Sequence, residues 1–145
     1  MKQSPAINVL NELLVIHYRS FAQYLSVTHP WIHQGDEEAM EVIRDIVEDQ
    51  QKHCSRLADM IQRRGGRIEQ GDFPMDFTDT HDLALDFIVK KLATEQQRDV
   101  QRIASCVTRL GDDAPAKVLA EEALGAARAH CDSLQELESA SLATS

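Results

Sequence analysis

Apolar residues recur three and four positions apart along four stretches of this chain, a spacing that predicts four amphipathic helices and an all-α fold. From Ile7 the positions Leu10, Leu14, His17, Phe21 and Tyr24 alternate by four and three, predicting a first helix over about 5–29 that starts at Ser4 and Pro5. Met40, Ile43, Ile46, Val47, Leu57, Met60 and Ile61 predict a second helix over about 36–64, capped by Asp36 and ended by Gly65 and Gly66. Leu85, Ile88, Leu92, Ile103, Cys106 and Leu110 mark a third over about 80–110. Leu119, Ala123, Ala127, His130, Leu134 and Leu137 mark a fourth over about 113–139, with Asp113 as cap and Pro115 in the first turn. The tail after Glu138 is small and polar and is expected to fray. The segment between the second and third helices is far longer than a tight helical hairpin needs. It is long enough to cross the length of a bundle, and the 145 residues suit one domain over 1–145.

Polar residues interrupt all four stripes. His17, Gln50, His53 and His130 fall on the inward faces, and extrapolation through the wholly polar stretch Thr94 to Asp99 turns Glu95 inward as well. Burying such groups is costly unless they find partners, so they imply a shared interior site or a hydrogen-bonded network. The network reading pairs Glu95 with His17, Arg98 or Arg102. The two halves of the chain also repeat: 36 residues separate His17 from His53 and 35 separate Glu95 from His130. In the same register Leu14 matches Leu92, Gln23 matches Gln101, and His53-Cys54 with Leu57 matches His130-Cys131 with Leu134. Two helical hairpins joined by a crossover place such groups at mid-height of a four-helix bundle.

Charge and cysteine usage narrow the class. A net charge of −9 with no basic tail argues against nucleic acid, which is held by clustered Lys and Arg. Apolar runs are only a handful of residues long, so no membrane span is expected. The odd number of cysteines, Cys54, Cys106 and Cys131, each inside a helical pattern and with no secretory signal, points to unpaired thiols in a reducing, cytoplasmic compartment. Cys54 and Cys131 stand about 100° off the inward stripe and read as packing residues, and His29, His33 and His81 read as loop residues.

Leu10-Asn11-Glu12-Leu13-Leu14 followed by Gln23-Tyr24 resembles the first helix of bacterioferritin, and His53 stands the family's distance ahead of the glycine ending helix two. With the helix order, this makes nearly the whole chain similar to bacterioferritins and DNA-protection ferritins, which implies a ferritin-like four-helix bundle with a long crossover between helices two and three. The family's di-iron site uses a glutamate from helices one and three and a Glu-x-x-His from helices two and four. In this chain His17 stands at the first glutamate, Gln50 at the acid of the first Glu-x-x-His, Glu95 at the third-helix glutamate and Ala127 at the second bridging acid, while His53 and His130 are kept. In the family these two histidines bind opposite irons. Gln51 stands where the haem-binding methionine belongs, so no haem is expected. The inter-subunit acids of the DNA-protection ferritins become Glu48 and Lys52, so that site is broken too.

With both bridging positions neutral, ferroxidase activity is not expected, because two close irons need anionic carboxylates between them. His17, His53, Glu95 and His130 form an imidazole-rich set suited to a single metal ion, Fe or Zn first, with Gln50 as an outer contact and Glu48 and Glu122 as reserve carboxylates. The expected function is therefore that of a ferritin-like metal-binding protein related to iron storage and oxidation. The alternative is a metal-free structural or interaction module with an acidic surface. Family members pair antiparallel through the first helix and the loop after it, where this chain carries Tyr18, Trp31 and Ile32. A homodimer or larger homo-oligomer that buries Tyr18 or Trp31 is expected. Light scattering at micromolar concentration should give at least twice the chain mass, and Trp31→Ser should reduce it; a monomer contradicts the pairing.

Overall fold

The computed structural model describes residues 3–28, 37–80 and 85–144; the regular elements among them are helices, with no strand. The helices are α1 Pro5–Tyr18, α2 Phe21–Thr28, α3 Glu37–Arg63, α4 Leu85–Leu110 and α5 Ala114–Thr144. Helix α1 packs on α3 and α4, and α5 packs on the same two, so the four long helices close a ring around a shared interior. No helix among the described residues is long and apolar enough to cross a membrane.

Three boundaries differ from the periodicity. The expected first helix, 5–29, is broken at Arg19 and Ser20. Ser20 is the cause: its hydroxyl accepts the Gln23 amide at 3.2 Å and its carbonyl accepts the Tyr24 amide at 3.0 Å, starting a new helix. The alternation of apolar positions runs through this break because α2 continues to bury Phe21, Tyr24 and Leu25 against α3. The third helix is expected from about 80, but Met75–Thr80 form a 3₁₀ turn, and α4 is described from Leu85. The fourth does not end at 139 but continues to Thr144. A run of Ser, Ala and Leu carries adequate helix propensity once it extends an existing helix.

The caps at the other ends follow the sequence. Ser4 caps α1 through the Ile7 amide at 3.2 Å, and Asp113 caps α5 through the Ala116 amide at 3.4 Å. Helix α3 closes with a paired motif in which the Gly66 amide reaches the Ile61 carbonyl at 2.9 Å and the Gly65 amide the Gln62 carbonyl at 3.0 Å. Asp36, Trp31, Ile32, His29, His33 and His81 lie outside the described residues.

The segment after α3 lies along α1. Buried Asn11 holds it from both sides, donating to the Arg67 carbonyl at 2.9 Å and accepting from the Glu69 amide at 2.8 Å. Arg19 Nε donates to the carbonyls of Gln70 and Gly71, each at 3.1 Å. Phe73 and Phe77 then cover α2: Phe77 lies 4.9 Å from the Phe21 ring and Phe73 5.3 Å from the Tyr24 ring. Tyr18 is 43% exposed, with the Arg19 guanidinium 4.5 Å from its ring.

The apolar interior is in two parts. One cluster gathers Leu10, Leu13, Leu57, Ile61, Ile103 and Leu119; the other gathers Phe21, Leu25, Ile46, Ile88, Leu92 and Leu134. Gly71 decides how closely the segment after α3 approaches α1, since it has φ +61° and a Cβ there would stand 2.8 Å from Val15 Cγ1. Gly65 has φ +73° with nothing within 4 Å. Gly65→Ala should therefore cost about 1 kcal/mol for the left-handed backbone alone, and Gly71→Ala about 2 kcal/mol or more because the clash adds to it. Denaturant midpoints at constant slope measure both, and equal losses would contradict the packing of Gly71 on Val15.

Candidate metal centre

Between the two apolar clusters lies a layer of polar side chains, all buried except half-buried His53. His17, Gln50, His53, Gln96, Asp99 and His130 line one cavity of about 10 Å³, room for a single water, against Ile103, Ala123 and Ala127. The small residues of α5 leave the opening: Ala127 occupies a position where a longer side chain would fill it.

Gln50 joins α3 to α2. Its amide oxygen accepts from Ser20 Oγ at 2.7 Å and from Gln23 Nε2 at 3.2 Å, and Gln23 also donates to the Val47 carbonyl at 3.0 Å. Each of these three side chains is buried. A neutral amide meets two donors there with no charge to desolvate.

The imidazoles are oriented by their neighbours. His17 Nδ1 lies 2.7 Å from the Leu13 carbonyl, which can only accept, so Nδ1 carries the proton and Nε2 the lone pair of the neutral ring. Burial pushes the His17 pKa down to about 4, partly opposed by that bond. His130 Nε2 donates to Asp49 Oδ2 at 2.8 Å, while His130 Nδ1 is buried without a partner. His53 Nδ1 is likewise buried and unpartnered, and burial lowers the His53 pKa. The rings of His17 and His53 stand 5.5 Å apart between centroids, tilted by 58°. Two orphaned ring nitrogens and a third ring oriented by a backbone carbonyl fit the needs of a metal ion, since ligating histidines normally give their other N–H to a carboxylate or carbonyl.

Among the described residues, no three His, Cys, Asp or Glu side chains stand close enough together, as they are placed, to hold an ion. His17, His53, His130 and Gln50 line the same cavity. Glu95 is buried but opens to a different pocket, and it pairs with Arg98 at 3.1 Å and Lys91 at 3.9 Å. The expected pairing of Glu95 with Arg98 is thus present, and Glu95 is no part of the imidazole cavity. The reserve carboxylates are both exposed, and Glu122 is bound to Arg56. Gln101, matched to Gln23 by the repeat, is exposed where Gln23 is buried. Cys54, Cys106 and Cys131 are free thiols.

Asp99, Gln96 and Asp49 were not singled out by the pattern. The signal for the first two is in the spacing: stepping back from Ile103 by four and then three reaches Asp99 and Gln96, and a further four reaches Leu92. Burial pushes the Asp99 pKa up to about 7, with Glu95 adding to the rise and Arg102, 3.7 Å away, opposing it. Asp49 has no such signal, because it lies off the stripe and reaches His130 from the edge of α3. The chain matches neither a known family nor a curated protein when compared with them.

His17 and Asp99 oppose each other in pH. The unfolded His17 binds a proton below 6.5 that the folded ring refuses until about pH 4, so its contribution is full above 6.5 and is lost as pH falls through that window. The folded Asp99 keeps a proton up to about pH 7 that the unfolded chain releases near 3.8, so its contribution is lost as pH rises. With chelator present, between about pH 4 and 6.5, Asp99→Asn should make stability rise with pH more steeply than wild type, and His17→Leu less steeply. The difference should approach 1.4 kcal/mol per pH unit in chemical denaturation, and parallel curves for the three proteins contradict these two environments.

Proposed function

We propose that this chain is a ferritin-like four-helix bundle whose centre binds one divalent transition metal ion through His17, His53 and His130. One observation carries the reading: His53 Nδ1 and His130 Nδ1 are buried beside one cavity with no hydrogen-bond partner, at a cost that a bound ion removes. The orientation of His17 by Leu13 and of His130 by Asp49 supports it, as does the His17 pKa near 4, which keeps a free lone pair at neutral pH. The helix order and the long segment between α3 and α4 support the ferritin-like arrangement. Bound there, such an ion would supply Lewis-acid or redox chemistry, and the chain would hold and orient it in a water-poor layer.

A two-iron oxidation centre is not part of this reading. Gln50 holds Ser20 and Gln23 with its amide, and Ala127 offers no donor, so neither bridging position carries charge. The pairing of two copies through Tyr18 belongs to the same proposal, since Tyr18 stands exposed on α1.

A second reading has its own observation. As the side chains stand, no three donors converge among the described residues, which favours a metal-free module whose polar layer sets helix register. Titration of the chelator-treated, untagged protein with Zn(II) or Co(II) separates the two. One ion per chain, a raised melting temperature, and at least a tenfold weaker affinity in His53→Ala and His130→Ala are expected. No saturable binding, with stability indifferent to chelator, supports the metal-free module. Aerobic oxidation of ferrous ion should stay near the buffer rate, and consumption of two irons per chain contradicts the single-ion reading.

A further inference from the structure

An ion held by imidazoles alone leaves its full charge buried between two apolar clusters, and the cavity contains one group able to offset it. Asp99 is the carboxylate that lines the cavity with His17, His53 and His130, and its residue is 6% exposed. We infer that the site's anionic ligand is Asp99 on α4, one helical turn beyond Glu95, so that the ion takes three imidazole nitrogens and one carboxylate oxygen. The inference rests on the metal reading above.

Three placements carry it. The first is the division of labour between the two acids of α4. Glu95 lines a pocket of about 100 Å³ on the side of α1 and the segment after α3 and is not among the residues that line the imidazole cavity, whereas Asp99 lines both. The second is their partners. Glu95 is held by Arg98 at 3.1 Å with Lys91 at 3.9 Å, while Asp99 has Arg102 at 3.7 Å, beyond hydrogen-bond length, and the Arg102 side chain is 59% exposed. A guanidinium that exposed exchanges a long contact for water at little cost, so Arg102 is a weak competitor for the Asp99 carboxyl group. The third is His130: its side chain is 9% exposed and its Nδ1, left with the lone pair because Nε2 donates to Asp49, is buried without a partner, so an unused nitrogen lone pair and a carboxyl group line one small space.

A set of three nitrogens and one oxygen matches tetrahedral Zn(II) or Co(II). Asp99 lines both pockets, and Asp72 and Glu95 line the one on the α1 side, so three acids stand on that side of the imidazole cavity.

Co(II) titration followed by visible absorption tests the assignment on the full chain, with wild type, Asp99→Asn and Glu95→Gln compared. Wild type should bind one Co(II) with tetrahedral bands; Asp99→Asn should bind at least tenfold more weakly with altered bands, and Glu95→Gln should stay within about twofold of wild type. Weakening by Glu95→Gln with Asp99→Asn unchanged overturns the assignment in favour of the other acid, and unchanged affinity in both overturns it in favour of an all-imidazole site. Asp99→Cys gives a positive readout that does not depend on loss: a thiolate there should add sulfur-to-cobalt charge-transfer absorption absent from wild type, and its absence while Co(II) binds contradicts the inference. Wild type that binds no Co(II) overturns the metal reading and the assignment together, whereas binding indifferent to residue 99 overturns the assignment alone.

Discussion

The amide oxygen of Gln50 is the point on which the middle of this protein depends. It accepts from Ser20 on the α1–α2 side and from Gln23 on α2 itself, so one buried atom joins α3 to the place where the first helix is interrupted. Ser20 uses its hydroxyl twice, capping α2 through the Gln23 amide and donating to Gln50. The interruption of the helix and the satisfaction of the polar layer are therefore the same event. A buried hydrogen bond contributes about 1 kcal/mol net, but leaving any of these groups without its partner costs more than that, which makes the arrangement specific as well as stabilising.

That layer divides the interior. Leu57 and Ile61 of α3 pack into one apolar cluster and Ile43 and Ile46 into the other, with Gln50 and His53 between them. The two halves of the interior are thus anchored to each other through the same long helix. Ion pairs such as Arg64 with Asp113, at 2.5 Å, and Arg109 with Glu12 tie helix ends together on the outside, where solvent screening keeps each contribution small. The weight of the fold rests on the apolar clusters, and the weight of its chemistry on the thin layer that separates them.

Within the layer, placement distinguishes groups that sequence alone treats alike. Glu95 and Asp99 are both acids on α4 and both buried, yet one is held by two cations and lies outside the imidazole cavity while the other lines it. His17, His53 and His130 differ in the same way. His17 is held by its own helix through Leu13, His130 by a carboxylate of another helix, and His53 Nδ1 is buried without a partner. Proton positions on these rings follow from what each neighbour can accept, so the available lone pairs are a product of packing.

The sequence by itself determined the helical class, the faces of the helices, the caps at Ser4 and Asp113, and the burial of His17, Gln50 and His130, because all of these are read within a single helix at a period of three and four. It also showed that polar groups interrupt every stripe. Only the tertiary structure decided which of them meet. The break at Ser20 required a partner on α3, the turning of Glu95 away from the cavity required Arg98, Lys91 and the segment after α3, and the orientation of His130 required Asp49, 81 residues away in the chain. Periodicity resolves a helix face to about 100°, whereas the difference between lining the cavity and lining its neighbour is a single residue step, settled by how adjacent helices pack against that face.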